Sequence, residues 1–226
     1  MCSRYSLTSP HEAVRSHFGY ANIHAFPPRY NIAPTQPVAI VRLSEVRERE
    51  LALVRWGLIP AWAKDPSKFS TLVNARAETV AEKPAFRGPI RHRRCLVPAD
   101  AFYEWMGPAG AKRAHMIRRK DRGLMAFAGL WEGWLGADGS EIDTMAILTV
   151  PSNVALSWLH DRMPAILEPE VFASWLDGRA MPADEASGLL LPAADDLLEV
   201  IEIGNAINNP RNEGAALQTP ERTRLL

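Results

Sequence analysis

From Pro37 to Val150 the chain is a succession of apolar or alternating segments rich in β-branched residues and cut apart by turn signals. That patterning restricts the fold to one built mainly on strands. Pro37 to Leu43 (PVAIVRL) and Glu50 to Trp56 (ELALVRW) come first. Arg94 to Val97, Phe102 to Trp105, Ala114 to Arg119, Leu124 to Trp134 and Ile142 to Val150 follow, and Leu197 to Ile203 supplies a last strand. Gly107-Pro108, Asp121-Arg122-Gly123 and Ala137-Asp138-Gly139 mark the turns. Ser9-Pro10-His11-Glu12 carries a helix-start pattern, which predicts a helix through His17. Further short helices are expected at Ala75 to Glu82, Ser152 to Leu159, Pro169 to Leu176 and Ala183 to Leu191. Strands clustered in the middle with short helices around them predict an α+β domain on a curved or barrel-like, mostly antiparallel sheet.

A chain of 226 residues can bury a sizeable core, and without repeats or a low-complexity linker it reads as one domain over residues 1–226, with a peripheral tail from about 216. Formal net charge is zero, which excludes a general polyanion binder and confines any nucleic-acid contact to a local patch. The six His have no ligand spacing, and Cys2 and Cys95 form neither a metal-type pair nor a disulfide framework. No metal and no cofactor are therefore expected, and the free thiols suit the cytoplasm. The first residues lack a signal-peptide run, and no stretch approaches the roughly 20 apolar residues of a membrane span. The loop from Ile59 to Ser70 is long and carries Trp62, which suggests a working loop rather than a linker.

Cys at position 2 has a chemical consequence. Methionine aminopeptidase accepts small second residues, so removal of Met1 leaves Cys2 with a free α-amine beside its own thiol. An α-amine titrates at about 7.7–8.0 and a lysine at about 10.4, so near neutral pH the terminus is the better amine nucleophile. An amine attacking an aldehyde gives a Schiff base, and the neighbouring thiol can close on the same carbon to form a five-membered thiazolidine. Neither Ser nor Lys at this position could make that ring.

Six segments follow one another along the chain. They are Met1-Cys2-Ser3-Arg4, Arg29-Tyr30-Asn31-Ile32-Ala33-Pro34-Thr35, Trp56-Gly57-Leu58-Ile59-Pro60 with Trp62, Asn74-Ala75-Arg76-Ala77-Glu78-Thr79, Pro98-Ala99-Asp100 with Phe102-Tyr103-Glu104-Trp105, and His160-Asp161-Arg162-Met163-Pro164. In this order they resemble the SRAP family (SOS-response-associated peptidase), whose members shield abasic sites in single-stranded DNA. The resemblance runs from residue 1 to about 215. It implies a single SRAP-type domain in which Cys2 is the nucleophile, through its amine first and its thiol second. It further implies that Asn74 orients the terminus, that Glu104 acts as acid and base at the linkage, and that His160 protonates the sugar ring to open it. Arg4, Arg76 and Arg162 would meet phosphates or support that surface, and Trp62 would stack beside the gap left by the missing base. The implied partner is single-stranded DNA containing abasic sites, met by a monomer that is cytoplasmic and nucleoid-associated on damaged DNA. Where the family carries Gly after the nucleophile, this chain has Ser3.

The residues taken alone leave other readings open. Asn74 could cap a helix starting at Ala75. Glu104 could be a solvated strand residue, and His160 a packed loop imidazole held by Asp161. Arg87, Arg91, His92, Arg93 and Arg94 read as a solvated basic face, or as an extra phosphate contact. Cys95 reads as a buried strand residue, and Trp131, Trp134, Trp158 and Trp175 as core. A processed N-terminal Cys also suits a peptidase or amidase, including self-removal of Met1, and Cys2, His160 and Asn74 match a Cys-His-Asn set by type. A plain single-stranded DNA binder is the non-enzymatic alternative. A Schiff base that lacks the thiol could instead pass to strand cleavage by β-elimination, a lyase activity.

Overall fold

The computed structural model describes residues 2–66 and 71–221, and the strand patterning of the sequence is realised in two sheets. The first sheet contains β1 (Tyr5–Leu7), β2 (Arg29–Ile32), β7 (Ala101–Met106), β8 (Arg113–Arg119) and β13 (Leu198–Ile203). Its order is β13-β8-β7-β1-β2, and every pairing is antiparallel. The second is organised by β3 (Pro37–Leu43), β4 (Arg49–Trp56), β6 (Arg94–Ala99), β9 (Met125–Leu135) and β10 (Glu141–Pro151). β4 pairs β3, β3 pairs β6, β6 pairs β9 and β9 pairs β10, all antiparallel. β10 then meets β4 in parallel and closes the ring. The result is a five-stranded barrel, to which β5 (Asn74–Arg76), β11 (Arg162–Pro164) and β12 (Ile166–Leu167) are attached.

β6 is buried throughout and β10 from Thr144 to Val150, so these two read as continuous apolar runs, whereas β4 turns only part of its length inward. Gly57 ends β4 with φ +123, and a Cβ there would lie 2.4 Å from Thr71 Cγ2, so the turn out of Trp56 requires glycine. The first sheet lays Tyr5, Phe102, Ile117 and Leu198 against the barrel core. Its other face, with Tyr103, Ala114, Met116 and Ile203, is covered by Ile207 and Leu217. Gln218 Nε2 donates to Ser6 Oγ (3.0 Å) and to Tyr103 Oη (2.8 Å). The expected peripheral tail is thus packed at Leu217, which closes the outer core, and is tied to β13 as far as Glu221, whose N–H donates to Glu202 O (2.9 Å).

α1 (His11–Phe18) falls where its start signal put it, and it ends at Gly19 in the left-handed conformation. α2 (Pro89–His92), α3 (Phe172–Leu176) and α4 (Ala183–Ser187) are each about one turn long. The helix expected at Ala75 to Glu82 is instead β5 followed by a 3-10 turn over Ala77–Thr79, because pairing with β10 overrides local propensity. The helix expected at Ser152 to Leu159 is a run of turns. Arg94 does not belong to a solvated face. It is 2% exposed, and its guanidinium donates to the carbonyls of Trp175 (2.5 Å), Ile90 (3.1 Å) and Met181 (2.8 Å). Trp175 and Cys95 are core as read, whereas Trp158 is 52% exposed. Residues 67–70 of the long loop lie outside the described residues. No helix among the described residues is long and apolar enough to cross a membrane.

Candidate active site

The start of the chain lies where the two sheets meet. Tyr103 N on β7 donates to Arg4 O (2.9 Å), which continues the β1–β7 pairing one residue toward the terminus. From the barrel side, Asn74 at the head of β5 donates through Nδ2 to Cys2 O (2.8 Å). Cys2 is therefore held between two rigid elements, and its side chain is buried. Asn74 caps no helix, since its residue begins a strand. Ser3 is unstrained: the described non-glycine residues with positive φ are Thr35, Arg47 and Arg122.

Electrostatics around Cys2 favour its neutral thiol. Burial, and then the negative charge of Glu104, push the thiol far above its ordinary value. Glu104 is on the barrel-facing side of β7 and only 6% exposed, not on a solvated face. Burial raises its carboxyl above the ordinary range, Asp161 pushes it further up, and His160 pulls it back. Glu104 is thus within electrostatic reach of both Cys2 and His160.

His160 stands at the end of the turns between β10 and β11, a loop tied at its base by Ser152 N donating to Asp161 O (2.9 Å). The backbone N–H of Arg162 donates to His160 Nδ1 (2.9 Å). Asp161 Oδ1 approaches the same nitrogen at 2.8 Å. The two contacts require opposite states of Nδ1. The bare nitrogen accepts from the backbone N–H and the protonated one donates to Asp161, so either form of the ring has a partner at Nδ1.

The four arginine and tryptophan positions separate into two kinds. Arg4 Nη1 donates to Asn31 Oδ1 (2.6 Å) and Ile207 O (2.9 Å), and its guanidinium lies 5.6 Å from the centre of the Trp105 ring. Arg4 and Ser3 line a cleft of about 700 Å³ with Trp105, Lys112, Arg113 and Asn208. Arg76, exposed at the end of β5, lines a second groove of about 560 Å³ with Asn74, Lys83 and Trp62, which is 56% exposed. Arg162 differs from these. Its fork is taken up by Glu78 (2.5 and 2.9 Å) and by Thr149 O (2.5 Å). It braces β10, β11 and the 77–79 turn against one another, and those donors are not offered to a ligand.

The structure thus brings Cys2, Asn74, Glu104 and His160 together, with Arg4 in one groove and Arg76 and Trp62 in the other. It adds residues that the sequence reading gave no role. Trp105 donates Nε1 to Asn208 Oδ1 (2.6 Å) in the Arg4 cleft. Tyr5 Oη, Asn74 Oδ1 and His115 Nδ1 are buried with no hydrogen-bond partner among the described residues. His115 is the cross-strand partner of Glu104, a relation that only the β7–β8 register reveals. Buried polar atoms left unpaired cost about 1–3 kcal/mol each, and Tyr5 and Asn74 carry theirs beside Cys2.

The family described as SOS response associated peptidase (SRAP) matches residues 1–210. The chain belongs to the SRAP family. Among SRAP relatives, the abasic site processing protein YoaM of Bacillus subtilis is 37% identical over 225 residues, covering 98% of this chain and 99% of its own length. The abasic site processing protein HMCES of Gallus gallus is 34% identical, over 86% of this chain and 65% of its own length. A solved structure of a Bacteroides thetaiotaomicron protein superposes with a TM-score of 0.87 at 26% identity, covering 97% of this chain and all of that one. This SRAP chain and that protein share one fold. Among the described residues, no group of three or more His, Cys, Asp or Glu could hold a metal ion.

Proposed function

We propose that this protein captures abasic sites in single-stranded DNA covalently, through the amine and thiol of Cys2 once Met1 has been removed. The observation that carries the reading is the 2.8 Å bond from Asn74 Nδ2 to Cys2 O, which holds the terminus within reach of Glu104 and His160. Relatives named abasic site processing proteins support it.

The chemistry follows from the groups present. An abasic deoxyribose is mainly a closed hemiacetal, and His160, as the imidazolium that Asp161 partners, can protonate the ring oxygen to release the aldehyde. The α-amine of Cys2 adds to the aldehyde carbon, and loss of one water gives the imine. Glu104, its carboxyl lifted above the ordinary range by burial, is suited to pass protons in these steps. The thiol then adds across the C=N bond. A C–S bond forms, the thiol proton passes to nitrogen, and the product is a thiazolidine of the same mass as the imine. A thiol kept protonated leaves the first attack to the amine.

Arg4 and Arg76 would hold phosphates on either side of Cys2, and Trp62 would stack on a neighbouring base, worth about 1–3 kcal/mol. Arg162 would support this surface by fixing the 77–79 turn. A cysteine peptidase needs a thiolate, and both burial and the Glu104 carboxylate oppose one here. The lyase side reaction belongs to the imine: Cys2→Ser, with the amine intact and the ring impossible, should nick abasic strands.

The test is denaturing electrophoresis of the processed protein with abasic single-stranded DNA, beside Cys2→Ala and an intact strand. A heat-stable shifted band that needs both Cys2 and the abasic site is expected. An equal band from Cys2→Ala, or none from protein lacking Met1, overturns the proposal.

A further inference from the structure

Trp158 is an exposed indole that the capture chemistry does not use. It lies on the loop between β10 and β11, two residues before His160, and is 52% exposed although Leu156 and Leu159 beside it are buried. Its one polar atom is already satisfied, since Nε1 donates to Ala155 O (2.8 Å). Its ring meets His115 edge-on, with centroids 5.6 Å apart and planes at 86°. His115 is 7% exposed and stands directly across from Glu104 in the β7–β8 register, which puts their Cβ atoms about 4.5–5.5 Å apart on one face of the sheet. A buried residue neighbouring Glu104 therefore pins the indole at the rim of the site. The ring presents an apolar face to solvent, with nothing left to hydrogen-bond.

The position of this face decides what it suits. Trp62 borders the site from the barrel side, in the groove that contains Asn74 and Arg76. Trp158 borders it from the five-stranded sheet, through His115 on β8. Two half-exposed indoles thus border the site, Trp62 in the groove of Asn74 and Arg76 and Trp158 against the cross-strand partner of Glu104. An aromatic face whose N–H is internally satisfied recognises a partner by stacking and not by hydrogen bonding, and every nucleobase offers such a partner.

We infer that Trp158 is a second stacking platform, taking the nucleobase on the side of the abasic site opposite to the one met by Trp62, with His115 positioning the ring. The inference rests on the proposed capture of abasic DNA. A strand missing one base has lost the stacking on both sides of the gap, and two indoles replace it at both neighbours. His115 acts through Trp158 and touches no DNA.

The experiment uses the full-length processed protein and single strands carrying a tetrahydrofuran abasic analogue, which has no aldehyde and cannot crosslink. Affinity is measured by titration for wild type, Trp158→Ala and Trp158→Phe. In turn, the base on each side of the analogue is replaced by a second analogue. Expected is a roughly tenfold loss of affinity for Trp158→Ala, mostly recovered by Trp158→Phe. Removing the base on one particular side should weaken wild type by a similar factor and leave Trp158→Ala unaffected. Equal affinity of wild type and Trp158→Ala, or a loss that ignores which base is missing, overturns the platform and leaves the face to another partner. Single-turnover crosslinking to aldehyde-bearing DNA separates stacking from misplacement of His160. Loss of stacking in Trp158→Ala raises the DNA concentration at half-maximal rate and leaves the saturated rate within about twofold. A fallen saturated rate with unchanged half-saturation contradicts it. If wild type forms no crosslink and the base-specific coupling persists, the capture chemistry fails and the platform stands. Crosslinking by wild type without that coupling is the opposite outcome.

Discussion

At the scale of single residues, the account turns on how burial changes the chemistry of ordinary groups. Glu104 sits in a strand pattern that would normally place a carboxylate in water, and the register turns it inward. With its pKa raised in the folded state, Glu104 favours folding most while protonated. That contribution is complete below the unfolded value of about 4.3 and is lost as pH rises through the folded one. Glu104→Gln should therefore raise Tm at pH 8, and the gain should close toward pH 4; a gain independent of pH in a thermal melt series would contradict the assignment. Asn74 has a proposed positioning role of a different kind, since its bond to Cys2 O fixes where that residue lies. Asn74→Ala should slow single-turnover capture at saturating DNA by on the order of 100-fold, with little change in Tm. A rate within twofold of wild type would show that the bond does not matter. Asn74, Glu104 and His160 were legible as members of ordered motifs. His115 was not, because nothing local distinguishes a strand His facing a carboxylate from one facing water.

At the scale of elements, the long strands were legible and the short ones were not. β3, β4, β8, β9 and β10 run seven to eleven residues, enough for an apolar pattern to declare itself. β1, β2, β5, β11 and β12 have two to four residues, too few to show any period, and they are the strands that position Cys2, Asn74 and the His160 loop. The Asn74-to-Thr79 stretch has acceptable helix formers, yet β10 offers it a ladder, and the ladder wins. Arg94 was misread for a related reason: a charge at the start of a strand looks solvated until α2 and α3 are known to pack their carbonyls around it. Arg94→Ala takes the donor from the buried carbonyls of Trp175 and Ile90 and the half-buried one of Met181, and leaves a cavity beside Trp175. The expected cost is about 3–5 kcal/mol, or a fall in Tm on the order of 10 °C. Arg94→Lys should lie between. A fall under about 2 °C for the alanine variant in calorimetry would contradict this structural role.

For the whole molecule, a net charge of zero and a reactive terminus between two grooves suggest weak general affinity for DNA and strong covalent selection. With Arg4 and Arg76 as the two arginines proposed to meet phosphates, a shallow salt dependence on an intact strand is expected. The slope of log K against log salt should be about −1 to −2, and Arg76→Ala should reduce it by about 0.7. A slope steeper than about −4 would mean that a broader basic surface binds DNA. The barrel closure between β4 and β10 was beyond reading from sequence, because a parallel pairing so distant in the chain leaves no local mark. Beyond that closure β10 pairs β5 at Ile147 to Thr149, which sets Asn74 beside the chain start. The central claim, that one residue supplies both bonds to the aldehyde carbon, is tested most directly by tandem mass spectrometry of trypsin-digested protein crosslinked to an abasic oligonucleotide. The account predicts that the peptide Cys2-Ser3-Arg4, without Met1, carries the sugar at the mass of both parts less one water. It also predicts that borohydride leaves that mass unchanged, as a thiazolidine requires and an imine forbids. An adduct on a lysine or on Cys95, or an N-terminal peptide left unmodified while crosslinked protein accumulates, would contradict it.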